Sequence, residues 1–217
     1  MASAGKTGET VRRRLPREQR EKLIVAEAVR FFAEVGFEGQ TRALAQRLGV
    51  TQPLLHRYFP DKDALIARVH QEVFLNSWDT GWERVLDERA RPLAERLIAF
   101  YRHYIGMAFS YERVRIAMFA GLKDPKIAAL HVDFMNQHLL TPVARALRAE
   151  IGLAPDGIGS AELALASGLH GAIAFVGVRR WVYQVITPDD VDAQVVDIIN
   201  AFVSGAAEAV RRINAAA

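Results

Sequence analysis

The sequence predicts an all-α fold in two parts, a short N-terminal helix-turn-helix domain and a longer helical body behind it. Three observations lead there. Apolar residues recur at helical spacing along nearly the whole chain. No stretch shows the period-two alternation of a half-buried strand. Within the first 62 residues, Gly36, Gly49 and Pro60 cut the helical pattern into three pieces with very short links.

Residues 1–15 hold Gly, Ser and Thr and then Arg12-Arg13-Arg14, the composition of a disordered basic arm. Residues 16–62 form the first domain. Its first helix starts near Pro16, because proline suits a first turn. Ile24, Ala28, Phe31, Phe32 and Val35 give that helix one apolar face, and Gly36 ends it. Gln40 or Thr41 caps the second helix, which turns Leu44, Ala45 and Leu48 inward and stops at Gly49. Thr51 caps the third, Pro53 fits within its first turn, and Leu55 and Phe59 point inward. Pro60 ends it, and Asp61 caps a fourth helix with Ile66, Val69 and Val73 on its apolar face. The second and third helices, joined by a glycine-containing turn, make a helix-turn-helix. Residues 63–217 continue as helices. Leu93, Leu97, Phe100 and Tyr104 share one face, and Ile127, Leu130, His131, Phe134, Met135, His138 and Leu139 share another. Residues 154–160 are a loop, and residues 188–213 make a last amphipathic helix.

The chain has 217 residues, 51% of them hydrophobic and 24% charged, the balance of a soluble globular protein. It has no cysteine, which excludes disulfides, thiolate catalysis and cysteine-based zinc sites and suits a reducing cytoplasm. The basic N-terminus lacks a signal peptide's apolar core. The longest uncharged apolar run, Leu163–Val178, is broken by Ser167, His170 and three glycines; it falls short of a bilayer span and reads as a buried helix. Charge is unevenly placed. Residues 1–62 carry 12 Lys/Arg against 7 Asp/Glu, a net +5, while the rest carries 16 against 18, a net −2. A basic front on a slightly acidic body suits a polyanionic partner met by the front alone.

The front also carries a specific pattern: Phe32, Gly36-Phe37, Leu44-Ala45, Gly49-Val50-Thr51, Leu55-His56-Arg57-Tyr58-Phe59 and Lys62. With it, residues 25–65 resemble the N-terminal domain of the tetracycline-repressor (TetR) family of transcription regulators. There are two departures. The link before the second helix is one residue shorter than the commonest pattern, and His56 stands where the family usually has Tyr. The resemblance implies a head that reads double-stranded DNA, with its third helix in the major groove. Gln52 then bonds adenine, and Pro53 and Leu54 touch apolar features such as a thymine methyl. Arg57 reaches phosphate or guanine, and Arg42 reaches phosphate or an adjacent base. Thr51, His56, Tyr58 and Lys62 are backbone contacts that fix register, with Lys62 at a phosphate-attracting helix N-terminus.

One small head makes too few contacts for useful specificity, and a homodimer on a palindromic operator solves this. The candidate interface comprises Leu165, Leu169, Ala172 and Val176 on the penultimate helix and Ile198, Ile199 and Phe202 on the last. The resemblance implies the same four-helix interface, and it implies a small-molecule effector pocket in the body. The candidate pocket residues are Trp78, Trp82, Tyr104, Met107, Met118, Phe119, Phe134, His138, His170 and Phe175, large or polar-tipped side chains suited to an apolar ligand with one polar group. By resemblance, the tilt of the fourth helix carries the signal between pocket and head. No cofactor and no metal is expected: His131 and His138 are seven apart, about 10 Å along a helix at about 1.5 Å per residue. Without a metal-binding His/Glu pair, a phosphate loop or a nucleophile elbow, the chain does not read as an enzyme. The alternative reading is a helical carrier of apolar ligands that meets anionic membrane or nucleic acid non-specifically.

Overall fold

A computed structural model describes residues 16–75, 80–123, 125–185 and 190–215, and these are helical, with no strand among them. The basic arm proposed at residues 1–15 lies outside the described residues. Helix α1, Arg17–Val35, leaves Pro16 and buries Ile24, Ala28, Phe31 and Phe32, while Val35 at its end is exposed. Helix α2, Thr41–Arg47, has Gln40 as its N-cap and buries Leu44 and Ala45. Gly49 then takes a φ of +66°, which a side chain would oppose, and the Val50 N–H returns to the Ala45 carbonyl. That reversal sets helix α3, Gln52–His56, across α2. The Thr51 hydroxyl accepts from the Leu54 N–H, as the sequence predicts, and Leu55 is buried. Helix α4, Lys62–His70, is capped by Asp61, whose carboxylate accepts from the Ala64 N–H at 2.7 Å.

The head core does not stop at residue 62. It continues through Leu65, Ile66, Val69 and Val73 and takes in Ile116 and Ala120 from helix α6, Tyr111–Lys123. A boundary at 62 therefore falls inside one continuous apolar cluster. Arg47 bridges Glu27 and Glu34 and so fastens α2 along α1.

The body starts where α4 passes into a π-helical turn, Gln71–Leu75. A 3-10 segment, Thr80–Asp87, leads to α5, Leu93–Ala108. Beyond α6, helix α7, Pro125–Met135, runs through a second π turn, Asn136–Leu140, into α8, Thr141–Glu150. Two long helices close the body, α9, Ser160–Trp181, and α10, Val191–Ala215. Leu97, Phe100 and Tyr101 of α5, Leu147 of α8, Leu169 and Ile173 of α9 and Val195 and Ile199 of α10 form its core. By length and composition alone, α9 and α10 could each cross a membrane. In the fold they pack on each other, on α5 and on α8.

A buried ion pair pins this arrangement. Arg148 on α8 donates to both carboxylate oxygens of Glu162 on α9 at 2.8 Å and to the Ala154 carbonyl in the loop between them. Glu162 also accepts from Asn214 on α10 and from the Gly159 N–H. Burial pushes the Glu162 carboxyl up, but the bonds from Asn214, Gly159 and Arg148, together with the Arg148 charge, hold it below its ordinary value. Replacing Arg148 by Met leaves that carboxylate buried and unpaired, and urea unfolding should show a loss of about 3–5 kcal/mol. The double variant Arg148→Met, Glu162→Met should recover most of that loss.

Candidate nucleic-acid interface and ligand cavity

The local geometry of α3 sorts its side chains. Leu55 and Phe59 go inward, which turns Thr51, Pro53, His56 and Arg57 outward, all four exposed. Arg42 at the start of α2 is exposed on its own side, while Leu54, Tyr58 and Lys62 are half-buried. The Arg17 guanidinium lies 5.9 Å from the centre of the Tyr58 ring and ties the start of α1 to this surface.

Gln52 is half-buried and held from two sides. Its amide nitrogen donates to the Thr41 hydroxyl at 3.3 Å and lies 3.4 Å from His56 Nε2. His56 Nδ1 is 3.1 Å from the Pro60 carbonyl, which can only accept, so Nδ1 carries the proton and Nε2 accepts from Gln52. Thr41, expected as a possible cap, instead positions Gln52. A bidentate adenine contact needs one amide N–H to leave these two long bonds.

In the body a cavity of about 160 Å³ opens among α5, α6, α7, α9 and the π turn after α4. Tyr104, Met107, Met118, Phe134 and His170 line it, five of the ten residues named from sequence. Trp78 lies outside the described residues. The other four belong elsewhere. Trp82 stacks on Phe100 with ring centres 4.5 Å apart. Phe119 turns to the opposite face of α6, against Phe37 and Gly36 of the head. His138 sits in the π turn, where the wider coil carries it off the face of His131, and it meets Glu83 at 2.9 Å. Phe175 is 48% exposed and contacts Tyr183.

The cavity also holds residues the sequence did not single out: Phe74, Phe109, Arg113, Val114, Ala117, His131, Met135, Ala174 and Val178, with Ala108. His131 and Met135 share a face with Phe134 in the sequence, so that signal was present. Arg113 gave none, because a charged residue on a helix reads as solvated. Close approach of α9 to this wall depends on Gly177, where a Cβ would come within 3.2 Å of Val114.

Two histidines at the cavity are electrically quiet. Burial lowers His131 to about 4, helped by the neighbouring His70 charge, and lowers His170 to about 4, helped by His131. The Nδ1 atoms of both are buried without a hydrogen-bond partner, as is the hydroxyl of Tyr101, whose ring stacks beside His170. His70, facing Phe74 and His131, is lowered by burial as well.

Of the residues named for a dimer interface, Leu169, Val176 and Ile199 are buried within the chain itself. Helix α9 is apolar on nearly every side, so its period does not say which side faces its own core. Leu165, Ile198 and Phe202 are half-buried and Ala172 is exposed. They border an open strip of Gly168, Gly171 and Phe175 on α9 and Ala201, Ser204 and Gly205 on α10. Among the described residues no cluster suited to hold a metal ion is found.

Residues 24–69 match the family model described as bacterial regulatory proteins, tetR family. The fold is similar to a TetR-like transcriptional regulator from Rhodococcus sp. RHA1, with 22% identity, a TM-score of 0.61 and 88% of this chain and 100% of that one covered. It is similar to a TetR-family chain from Mesorhizobium loti MAFF303099, with 16% identity, a TM-score of 0.62 and coverage of 88% and 98%. A TetR family transcriptional regulator from Pseudomonas syringae pv. tomato str. DC3000 is 19% identical, with a TM-score of 0.54 and coverage of 88% and 97%. No curated protein matches the sequence. Residues 24–69 thus match the tetR-family regulatory model, and the chain as a whole is similar in fold to the transcriptional regulators of that family.

The neutral histidines make a stability prediction. Unfolded, each titrates near its ordinary value of 6.5; folded, His131 and His170 titrate near 4. Between those values the unfolded chain binds more protons, so their contribution is full above pH 6.5 and is lost as pH falls toward 4. Carboxylates held below their ordinary values, such as Glu34, Glu162 and Asp192, add stability that is lost only as pH falls below those ordinary values, 4.5 for Glu and 3.8 for Asp. The urea midpoint should fall from pH 7 to pH 5, and a His131→Gln, His170→Gln double variant should flatten most of that slope.

Proposed function

We propose that this chain is a ligand-responsive DNA-binding repressor, working in the cytoplasm as a homodimer on a palindromic operator and released by a small, largely apolar effector. The observation that carries it is the sorting of α3: Leu55 and Phe59 anchor the helix while Thr51, Pro53, His56 and Arg57 remain exposed on its free side. A helix of this kind reads base edges with its first turn. Gln52, Pro53, Leu54 and Arg57 are the base-reading candidates, and Arg42, Thr51, His56, Tyr58 and Lys62 hold the backbone. Asp61 already occupies the N-terminus of α4, so Lys62 supplies the positive charge that a phosphate needs there. The open strip on α9 and α10, with Leu165, Ala172, Ile198 and Phe202, supports the dimer. The cavity supports the effector. An effector that prefers a head spacing unsuited to DNA weakens DNA binding, and DNA weakens effector binding equally, by about 1–3 kcal/mol. The carrier reading finds no support beside a complete helix-turn-helix head.

Selection of bound sequences from random DNA tests the proposal. Paired half-sites about 34–36 Å apart, or a multiple of that, should be enriched; recovery without sequence preference would overturn it. In the same assay Gln52→Ala should relax preference at one or two bases. Lys62→Ala should weaken binding to all sequences alike and reduce the salt slope by about one unit.

A further inference from the structure

We propose that the cavity takes an uncharged molecule of one ring carrying a single hydroxyl or carbonyl group, held by the imidazoles of His131 and His170. This rests on the reading of the cavity as an effector site and narrows it to a ligand class.

Size comes first. The cavity holds about 160 Å³, close to the roughly 150 Å³ apolar void that accommodates benzene in another protein. Its walls are methionine, phenylalanine, alanine and valine with few polar atoms, which suits an apolar body.

Charge comes next. Among the described residues no carboxylate lines the cavity, so a buried cation would find no partner among them. Arg113 is the one charged side chain on the wall among the described residues. Its Nη1 donates to the Val73 carbonyl at 2.6 Å, and Glu72 and Glu112 act on its charge. Those two carboxylates line a separate surface cleft that Arg113 also borders, so its charge is answered from outside the cavity. An anion brought in would displace these interactions or force a proton onto a buried histidine. Both histidines are neutral near pH 7 for want of solvation.

A purely apolar ligand fits the volume but not the chemistry. His131 and His170 each carry a buried ring nitrogen without a partner, and Tyr104 adds a phenol beside His170. A neutral imidazole offers one donor and one acceptor, which a hydroxyl or carbonyl can meet without a net charge. Leaving such groups unmet is costly, so a ligand that meets one gains affinity over its hydrocarbon isostere.

The test uses the full-length protein and four probes of one size: benzyl alcohol, toluene, benzoate and benzylamine, measured by calorimetry and thermal shift at pH 7.5. Benzyl alcohol should bind at least about tenfold tighter than benzoate or benzylamine and clearly tighter than toluene. His170→Leu and His131→Leu should each erase the preference for the alcohol over toluene while toluene still binds. Ala174→Phe, which fills the cavity, should abolish binding of both, with the unliganded melting curve reporting that the variant folds. Tighter binding of benzoate or benzylamine, or of no probe at all, overturns the ligand class. Gel shifts on a selected operator without ligand report separately on the regulator reading, so either idea can fail alone.

Discussion

One guanidinium joins the parts of this molecule. Arg115 projects from α6 between the C-terminal ends of two other helices. It donates to the carbonyls of Ala33 and Glu34 at the end of α1 and to that of Trp181 at the end of α9. Helix C-termini present unpaired carbonyls and partial negative charge, so a cation there satisfies both. The rings of Tyr111 and Phe119 flank the guanidinium at 5.2 and 5.4 Å. The N-terminal head, the cavity wall and the helix with the open strip therefore meet at one side chain. The neighbouring residues of α6 divide accordingly. Ile116 and Ala120 enter the head core, and Val114, Ala117 and Met118 line the cavity.

That division bears on how the cavity could act on the N-terminal head. Helix α4 was the link expected from sequence, and it does run from the head core to the cavity, where Phe74 in its π turn forms part of the wall. Helix α6 is a second link, because it packs on α1 of the head and on α7 and α9 of the body. Packed interiors transmit a displacement instead of absorbing it. A ligand that pushes on Ala117 or Val114 presses on the same helix that carries Ile116 in the head.

The head was legible in the sequence because local chemistry decides it. Gly49, Thr51, Asp61 and the spacing of Ile24, Ala28, Phe31 and Phe32 each act within a few residues, and each does in the structure what its type dictates. The extent of the head core was not legible. Ile116 and Ala120 join it from far along the chain, and nothing in their own helix says so. The cavity fell between. Size and polarity marked Tyr104, Met107, Met118, Phe134 and His170, but size alone cannot tell a cavity wall from a core, as Trp82 on Phe100 demonstrates. His131 and His138 were placed on one face by a period of 3.6, and a π turn breaks that period between them.

Helices α9 and α10 carry the last tension. Each is apolar and long enough to cross a bilayer, and each keeps one face uncovered in a single chain. Lipid is a poor cover for that face, because Asp197, Asn200 and Glu208 stand exposed along α10 and would have to enter hydrocarbon. Another protein surface suits it better. Gly168, Gly171, Ala172, Ser204 and Gly205 leave the backbones open to close approach, while the charged edges stay in water. The half-buried Ile198 and Phe202 supply apolar area between them. A second copy of the same face meets every one of these conditions, and it would also hold two reading heads at a fixed separation.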